Sequence, residues 1–325
     1  MNKTTKKLLI VFVCLLLIVA SLGAYFYLNS KEPSDFAIVA QAKEVSISLL
    51  EEAVDDINTR VEESGIEDLE LMYDYDYLTT DAATLIDSYL AENGYDETVI
   101  SISYYNFVTE ETYEYNATAQ MFAASTYKLP LNMYYYELRA AGTYDGDSKL
   151  YFGSNCYADS YGTIANNYSV GDYITLDVLQ YTSIVESDNN SSHILFENLG
   201  GWDSYMEIIS KYSDYYVYCA ENYNNVSFMM DCLKIIYENQ ELYSELIEDM
   251  KIAMSGKYMQ TYVDEVEIAH KYGIYGTAHN DVGIVFCSQP YALTIYTDLS
   301  DGDIVIGEIN RILFEYNTLQ ALYYG

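Results

Sequence analysis

The order of two kinds of hydrophobic pattern limits the folds open to this chain. Strand-like runs occur at "TVISISYYNFV" (98–108) and "TYEYNATAQ" (112–120), and again at "DVGIVFC" (281–287) and "YALTIYT" (291–297). Helical patterns dominate from about residue 125 to about 254. This order predicts an α/β (α+β) protein, in which a sheet lobe built from both ends of the chain holds an all-α lobe between them.

Two helices flank these strands in the prediction. The segment "TTDAATLIDSYLAENG" begins at a Thr80/Asp81 cap and ends at Gly94, and "DIVIGEINRILFEYNTLQAL" (303–322) predicts a last helix. Residues 31–78 are acidic with apolar positions at roughly helical spacing, which indicates a helical stalk. We therefore divide the chain into residues 1–30, the stalk 31–78 and a main domain 79–325.

The first thirty residues predict a membrane anchor. Lys3, Lys6 and Lys7 precede an uncharged apolar run, Leu8–Leu28, which is long enough to span a bilayer as a helix. Lysines before the run and acids after it place the N-terminus in the cytoplasm and the body outside the cell, at the membrane. A cleaved signal peptide is the alternative, although its apolar core is usually shorter.

Charge excludes several classes of partner. The chain has 50 acidic and 15 basic residues, a formal net charge of −35. Nucleic acids and anionic lipid headgroups both bind basic protein surfaces. We therefore expect neither as a partner of the acidic part of the chain that follows the apolar run. The cysteines and the three histidines show no metal-ligand spacing, so we expect neither a metal nor another cofactor. Outside the apolar run, the four cysteines allow three disulfide pairings, which the sequence leaves open.

The stretch "FAASTYKLPL" (122–131) carries the first chemical signal. Ser125 and Lys128 are three residues apart, so on a helix they share a face. A lysine in an apolar setting loses basicity and can then activate a neighbouring serine as a nucleophile. The alternative is an amphipathic helix whose Lys128 reaches out to water.

Two further motifs favour the chemical reading. "VESDNNSSHILFENLGG" contains Ser187, Asp188 and Asn189, and "AHKYG" contains Lys271, Tyr272 and Gly273 beside a late strand. In this order and setting, the chain resembles the serine β-lactamase and penicillin-binding-protein superfamily, most closely its class A β-lactamase branch, over about residues 80–320. The resemblance implies a two-lobe fold with an antiparallel sheet flanked by helices.

The resemblance also implies roles for individual residues. Ser125 would be the nucleophile and Lys128 its base, while Ser187 would pass a proton to the leaving nitrogen and Lys271 would supply positive potential. Asn189 would bind the substrate amide or Lys128, and Asp188 would hold its own turn. The backbone N–H groups of Ser125 and Ile274, the latter after Gly273, would form the oxyanion hole.

Two departures from the family pattern stand out. The family has Thr or Ser between the lysine and glycine of its third motif, where this chain has Tyr272, so the carboxylate pocket is expected to differ; an outward-facing strand tyrosine is the alternative. The family also carries a deacylating glutamate in a Glu-x-x-x-Asn loop. Glu221 and Asn225 repeat that spacing, but they lie so close to the next helix that a capping or solvated acid is the alternative for Glu221.

These residues predict a membrane-anchored extracytoplasmic serine hydrolase, acylated by β-lactams or D-alanyl-D-alanine-like peptidoglycan stem peptides and slowly deacylated. The alternative is an envelope binding or sensor protein that keeps the fold and has lost catalysis, which Tyr272 favours. A cell-wall transpeptidase ranks last, because no accessory wall-binding domain is visible in the sequence.

Overall fold

The computed structural model describes residues 69–215, 217 and 222–324. The helices in this part of the chain are α1 Ala82–Asn93, α2 Lys128–Ala140, α3 Thr163–Asn167, α4 Leu176–Ile184, α5 Asn189–Asn198, α6 Gly201–Ile209, α7 Val226–Glu238, α8 Ser244–Ile252 and α9 Gly302–Tyr324. The strands are β1 Ile100–Asn106, β2 Thr112–Tyr115, β3 Met121–Phe122, β4 Lys149–Tyr151, β5 Tyr173–Thr175, β6 Tyr223–Asn224, β7 Glu267–Tyr275, β8 Ala278–Phe286 and β9 Tyr291–Asp298.

Five of the strands form one antiparallel sheet in the order β2-β1-β9-β8-β7. The early hairpin therefore pairs with the late strands, as the sequence predicts, and β1 lies beside β9 with Ile102 opposite Ile295. Helix α7 packs on β1, β8 and β9. On β1, Tyr104 donates a hydrogen bond to Asn317 of α9 at 2.8 Å, so helices cover both faces of the sheet.

The all-α lobe lies between the two halves of the sheet in the chain. Helix α2 packs on α4, α5 and α6 around a core that includes Leu131, Leu179 and Ile194. Buried tyrosines bind backbone carbonyls there: Tyr135 donates to Leu195 O at 2.7 Å, and Tyr205 donates to Tyr127 O at 2.8 Å. These bonds satisfy two phenols that burial would otherwise leave without a partner.

Helix α1 has the bounds predicted from its caps. Asp81 accepts from the backbone N–H of Thr84 at 2.8 Å, and Gly94 ends the helix with a φ of 73°. A left-handed φ is open to glycine without steric cost, which is why the helix stops there. Residues Thr79–Asn317 form one compact unit.

The structure refines one sequence prediction of local structure and corrects another. The pattern 227–254 is two helices, because Asn239 caps the first and its side chain donates back to Ile235 O at 2.9 Å. The segment "EIAHKYGIY" is itself a strand, β7, whose run of six buried residues hides the alternation of an exposed strand. Of the predicted stalk 31–78, only 69–78 lies in the described part, where the backbone is irregular with a bend at 72–73 and a turn that begins at Tyr77, so the stalk stays a prediction.

The irregular backbone at 69–78 has a physical reason in the sequence. Tyrosines and acids alternate there with a period of two, and Tyr73 stacks on Tyr75 with ring centroids 5.9 Å apart. Residues two apart do not face each other on a helix, so these ring contacts require a more extended backbone. Tyr77 and Gln320 belong to a second compact unit, in which the Gln320 amide donates to Tyr77 O at 2.7 Å. Residues 31–68 and the apolar run Leu8–Leu28 lie outside the described residues.

Within the part of the chain that is described, no helix is both long and apolar enough to cross a bilayer.

Candidate active site

Ser125 lies in a single turn of 3₁₀ helix, Ala124–Tyr127, that leads directly into α2. The turn starts from a left-handed residue, since Ala124 has a φ of 48°. Such a conformation costs free energy in a residue with a Cβ, and it persists only where the surroundings impose it. Two asparagine side chains do so here by binding the backbone of the turn: Asn280 Nδ2 donates to Phe122 O at 2.7 Å, and Asn222 Nδ2 donates to Ala124 O at 3.0 Å.

Strand β7 packs directly on this turn. A Cβ added at Gly273 would lie 2.8 Å from the backbone nitrogen of Ser125 and 2.9 Å from the carbonyl oxygen of Ala123. Both contacts are with backbone, which has little freedom to move. Only glycine fits at this position, and it lets the strand approach the nucleophile turn closely.

Lys128 is the first residue of α2 and is fully buried. Its Nζ donates to Ser187 O at 2.6 Å and to Asn189 Oδ1 at 2.7 Å, and it lies 3.3 Å from Ser187 Oγ. Burial lowers the pKa of Lys128 to about 7, although Asp188 and Asp159 act in the opposite direction. A base with a pKa near neutrality suits proton transfer at physiological pH. The alternative of a lysine that reaches out to water is wrong.

Ser187 lies between the two lysines. It occupies the turn before α5 with a left-handed φ of 55°, and its Oγ accepts from Lys271 Nζ at 3.1 Å. Lys271 is fully buried and also donates to Tyr272 O at 2.7 Å. Burial and the charge of Lys128 hold the pKa of Lys271 well below its usual range. A proton can therefore pass between Lys128, Ser187 and Lys271 over short distances.

The residues after Ser187 fix this turn. Asp188 caps α5: its carboxylate accepts from Ser191 N at 2.9 Å and from Ile164 N at 3.1 Å. Asn189, whose Oδ1 binds Lys128, donates through Nδ2 to Asp159 Oδ2 at 2.7 Å. Asp188 therefore has the structural contacts expected of it. Asn189 connects Lys128 to the carboxylate of Asp159, a residue that belongs to none of the three motifs.

Within the described residues, no group of His, Cys, Asp and Glu could hold a metal ion. Cys156, Cys232 and Cys287 are free thiols, and burial raises the pKa of Cys287 to about 12. Cys219 lies outside the described residues.

His270, next to Lys271 on β7, is fully buried. Its Nδ1 lies 2.7 Å from Asp281 Oδ2 and its Nε2 lies 2.7 Å from Ala253 O, so it helps to hold β7 in place.

Comparison with known proteins agrees with this arrangement. The family model described as the β-lactamase enzyme family matches residues 81–317. The chain belongs to the β-lactamase enzyme family. A search of curated protein sequences finds no significant match.

Solved structures show the same fold. PBP-A superposes with a TM-score of 0.66 at 15% identity, over 74% of this chain and 97% of that one. A β-lactamase from Sphaerobacter thermophilus DSM 20745 superposes with a TM-score of 0.63 at 20% identity, over 74% of this chain and 99% of that one. TLA-3 extended-spectrum β-lactamase superposes with a TM-score of 0.64 at 20% identity, over 73% of this chain and 98% of that one. The predicted class A β-lactamase-like fold of the main domain is therefore confirmed.

Tyr272, the departure from the family's third motif, points into the site. Its side chain is 7% exposed, so the outward-facing alternative is wrong. Burial raises the pKa of the phenol, a hydrogen bond with Ser187 lowers it, and Asp281 and Glu186 raise it. Its ring stacks on Tyr258 with centroids 5.6 Å apart, and Lys271 Nζ lies 4.0 Å from its centre. Tyr272 thus occupies space beside Ser187 that the family gives to a small hydroxyl.

Ile274 follows Gly273 on β7 and is the first exposed residue after the buried part of the strand. Its side chain is 51% exposed, in contrast to the buried residues before it. Because Gly273 lies against the nucleophile turn, the next peptide unit of the strand is close to that turn. The predicted use of the Ser125 and Ile274 N–H groups as an oxyanion hole is compatible with this packing and stays a prediction.

Glu221 lies outside the described residues, so its role stays a prediction. The residues after it are fixed: Ala123 N donates to Asn222 O at 2.8 Å, and β6 pairs with β3. Asn225, the last member of the Glu-x-x-x-Asn spacing, caps α7 by accepting from Phe228 N at 2.9 Å. Its side-chain oxygen is therefore used in the helix cap.

Sequence reasoning missed three residues that shape the site: Asp159, Asn222 and Asn280. Each acts through a contact with a residue that is distant in the chain, such as the bond from Asn280 to Phe122 O. Asp159 lies in the loop "YADSYG", which has turn composition and no motif spacing. No local signal distinguishes such residues from ordinary loop and strand positions.

Proposed function

We propose that this protein is an extracytoplasmic serine hydrolase whose Ser125 is acylated by β-lactams or D-alanyl-D-alanine-like substrates. The observation that supports it best is the convergence on Ser187 Oγ, which lies 3.3 Å from Lys128 Nζ and 3.1 Å from Lys271 Nζ beside the Ser125 turn. Two buried lysines that meet at one serine hydroxyl form a proton path that a merely structural core would not need. A variant of PBP-A was solved as an acyl-enzyme complex with penicillin G, which gives a precedent within the fold.

The proposed reaction uses these residues in turn. Ser125 Oγ attacks the carbonyl carbon, and its proton goes to Lys128. The carbonyl oxygen becomes negative and is stabilised by the N–H groups of Ser125 and Ile274. The carbon–nitrogen bond then breaks, and Ser187 delivers its proton to the leaving nitrogen while Lys128 returns the proton taken from Ser125 to Ser187; Lys271 keeps its hydrogen bond to Ser187 Oγ throughout. The product is an ester on Ser125.

We further propose that this ester is hydrolysed slowly. A positioned general base typically contributes about 10² to 10⁴ in rate. Asp188 and Asp159, the carboxylates that act on Lys128, are already bound to Ser191 N and to Asn189. Asn225 is used as a helix cap. We therefore expect the acyl-enzyme to persist, with a lifetime that changes little in Glu221→Gln.

One observation favours the second function, an envelope binding or sensor protein. Tyr272 fills space next to Ser187 and covers the ammonium of Lys271. If that ring blocks every acyl donor, the fold would bind ligands without reacting. The absence of any adduct on Ser125 would favour this function.

We also propose that the protein is held at the cell membrane by Leu8–Leu28, with the N-terminus in the cytoplasm and the main domain outside. Support comes from the lysines before the apolar run and the acids after it.

Acylation is tested by intact-mass analysis after incubation with benzylpenicillin and, separately, with an acyl phosphonate that carries no carboxylate. We expect one adduct per chain on Ser125, absent in Ser125→Ala and retained in the matched control Ser154→Ala, which changes an exposed serine. The adduct is then followed over time to give its lifetime. An adduct that survives Ser125→Ala would refute the nucleophile, and rapid turnover that collapses in Glu221→Gln would refute slow deacylation.

A further inference from the structure

The hydrogen bonds of Lys271 leave its ammonium without an open side. One N–H donates to Ser187 Oγ at 3.1 Å and another to Tyr272 O at 2.7 Å. The nitrogen lies 4.0 Å from the centre of the Tyr272 ring, a cation–π distance. Lys271 itself is fully buried. An ammonium in this position has no donor directed to solvent with which to bind the carboxylate of an incoming substrate.

The ring that covers Lys271 is held in place. Tyr258 stacks on Tyr272 at an interplanar angle of 27°, and both residues are buried, at 4% and 7% exposure. The Tyr258 hydroxyl lies 3.3 Å from His279 Nδ1. A close-packed pair of rings has few alternative rotamers, so displacing Tyr272 to admit a carboxylate would require Tyr258 to move as well.

Apart from the Lys271 amine, the charged groups that act on the two phenols are carboxylates. Besides burial, which is the main cause, Asp281 and Glu186 raise the pKa of Tyr272, and Asp281 and Asp303 raise that of Tyr258. A substrate carboxylate placed here would add another negative charge to this field, in a chain whose net charge is −35. A neutral group would meet a phenol, which can both donate and accept a hydrogen bond.

We propose that Tyr272 sets the substrate class of this site, which accepts acyl donors bearing a neutral ester or amide where relatives of the fold bind a carboxylate. The proposal rests on the proposed function, because it needs Ser125 to be acylated. Atoms balance as before: the bond from Ser125 Oγ to the acyl carbon forms, the carbon–nitrogen bond breaks, and the serine proton ends on the leaving nitrogen. Tyr272 takes no part in this transfer; it decides which donors reach Ser125.

The test compares benzylpenicillin with its methyl ester, which differ only in the charge of this group. Second-order rates of Ser125 acylation are measured by intact mass, each divided by the rate at which that probe hydrolyses in buffer. A hydrogen bond to a charged group changes a rate by about tenfold to a hundredfold, so we expect the ester to be favoured by at least about tenfold. In Tyr272→Thr the preference should reverse towards the free acid.

Two further variants separate the ring from other effects. Tyr272→Phe keeps the ring over Lys271 and should keep the preference for the ester. Tyr275→Thr makes the same change as Tyr272→Thr at a strand position that is 72% exposed, and it should leave the ratio unchanged. Thermal unfolding of each variant establishes that it is folded.

The outcomes distinguish a failure of the Tyr272 proposal from a failure of the proposed acylation of Ser125. Faster reaction of the free acid in the natural chain would overturn the inference and leave Ser125 as the nucleophile. If that acid reaction were lost in Lys257→Gln, the exposed lysine before Tyr258 would be the carboxylate partner, which also overturns it. Failure of both probes to label Ser125 would overturn the proposed function itself and this inference with it.

Discussion

At the scale of single residues, the site depends on placing two buried lysines next to one hydroxyl. Lys128 and Lys271 both contact Ser187 Oγ, and the charge of Lys128 lowers the pKa of Lys271. Burial disfavours the charged form of each amine, and the two charges repel each other. A proton on one lysine therefore makes a proton on the other less favourable, so this pair can exchange a proton through Ser187.

The pKa of Lys128 predicts how acylation depends on pH. Only the neutral amine can accept the Ser125 proton, and burial brings this pKa down to about 7. The second-order rate of acylation by the penicillin methyl ester should therefore be low at pH 5, reach half its maximum near pH 7 and level off above it. Such a profile, measured from pH 5 to 9, reports the free enzyme.

Asp159 offers a direct check on that assignment. Its carboxylate raises the pKa of Lys128, so Asp159→Asn should move the midpoint of the profile to lower pH. Asparagine keeps an oxygen that can accept from Asn189, so the geometry is retained. The control Asp147→Asn removes an exposed acid that does not act on Lys128 and should leave the midpoint in place. A midpoint indifferent to Asp159→Asn would mean that another group titrates.

At the scale of elements, the approach of β7 to the nucleophile turn predicts the effect of one added methyl group. In Gly273→Ala, the new Cβ would lie within 3 Å of two backbone atoms, the nitrogen of Ser125 and the oxygen of Ala123, so the strand and the turn must separate. Misplacement of reacting groups by about 1 Å costs about 10² in rate. Overpacking also typically costs about 1–3 kcal/mol of stability.

Gly276→Ala is the matched control. Unlike Gly273, Gly276 has a left-handed φ, 62°, and nothing lies within 4 Å of its added Cβ, so the change strains the β7–β8 turn and leaves the site alone. We expect both variants to lose stability in urea unfolding and only Gly273→Ala to lose the acylation rate. Acylation of Gly273→Ala at the natural rate would show that strand and turn do not have to be this close.

Elements were predictable where local chemistry decides them. The bounds of α1 follow from Asp81 and Gly94, and the motifs of Ser125, Ser187 and Lys271 are local patterns that indicated one site. Strand β7 was harder, because burial of both its faces removes the alternation that marks a strand. Asp159, Asn222 and Asn280 were beyond reach, since each takes its role from a partner brought close only by folding.

At the scale of the whole molecule, charge and hydropathy together predict how the chain meets a membrane. The net charge of −35 makes electrostatic attachment to anionic lipid unfavourable, so the proposed attachment rests on the apolar run Leu8–Leu28 alone. Burial of a spanning helix depends on apolar contact and is insensitive to salt. The full chain should therefore stay with membranes through washes in 1 M salt, a concentration at which exposed charges are screened within about 3 Å.

The same reasoning predicts the orientation. Because lysines precede the apolar run and acids follow it, protease added to intact protoplasts should degrade the main domain, while a cytoplasmic marker protein survives. A chain that starts at residue 31 is the matched control: it keeps the acidic body, lacks the apolar run and should not bind vesicles that contain anionic lipid. Protection of the main domain in intact protoplasts would place it in the cytoplasm. Release of the full chain by salt would instead show that electrostatic attraction holds it to the membrane, despite the negative net charge of the main domain.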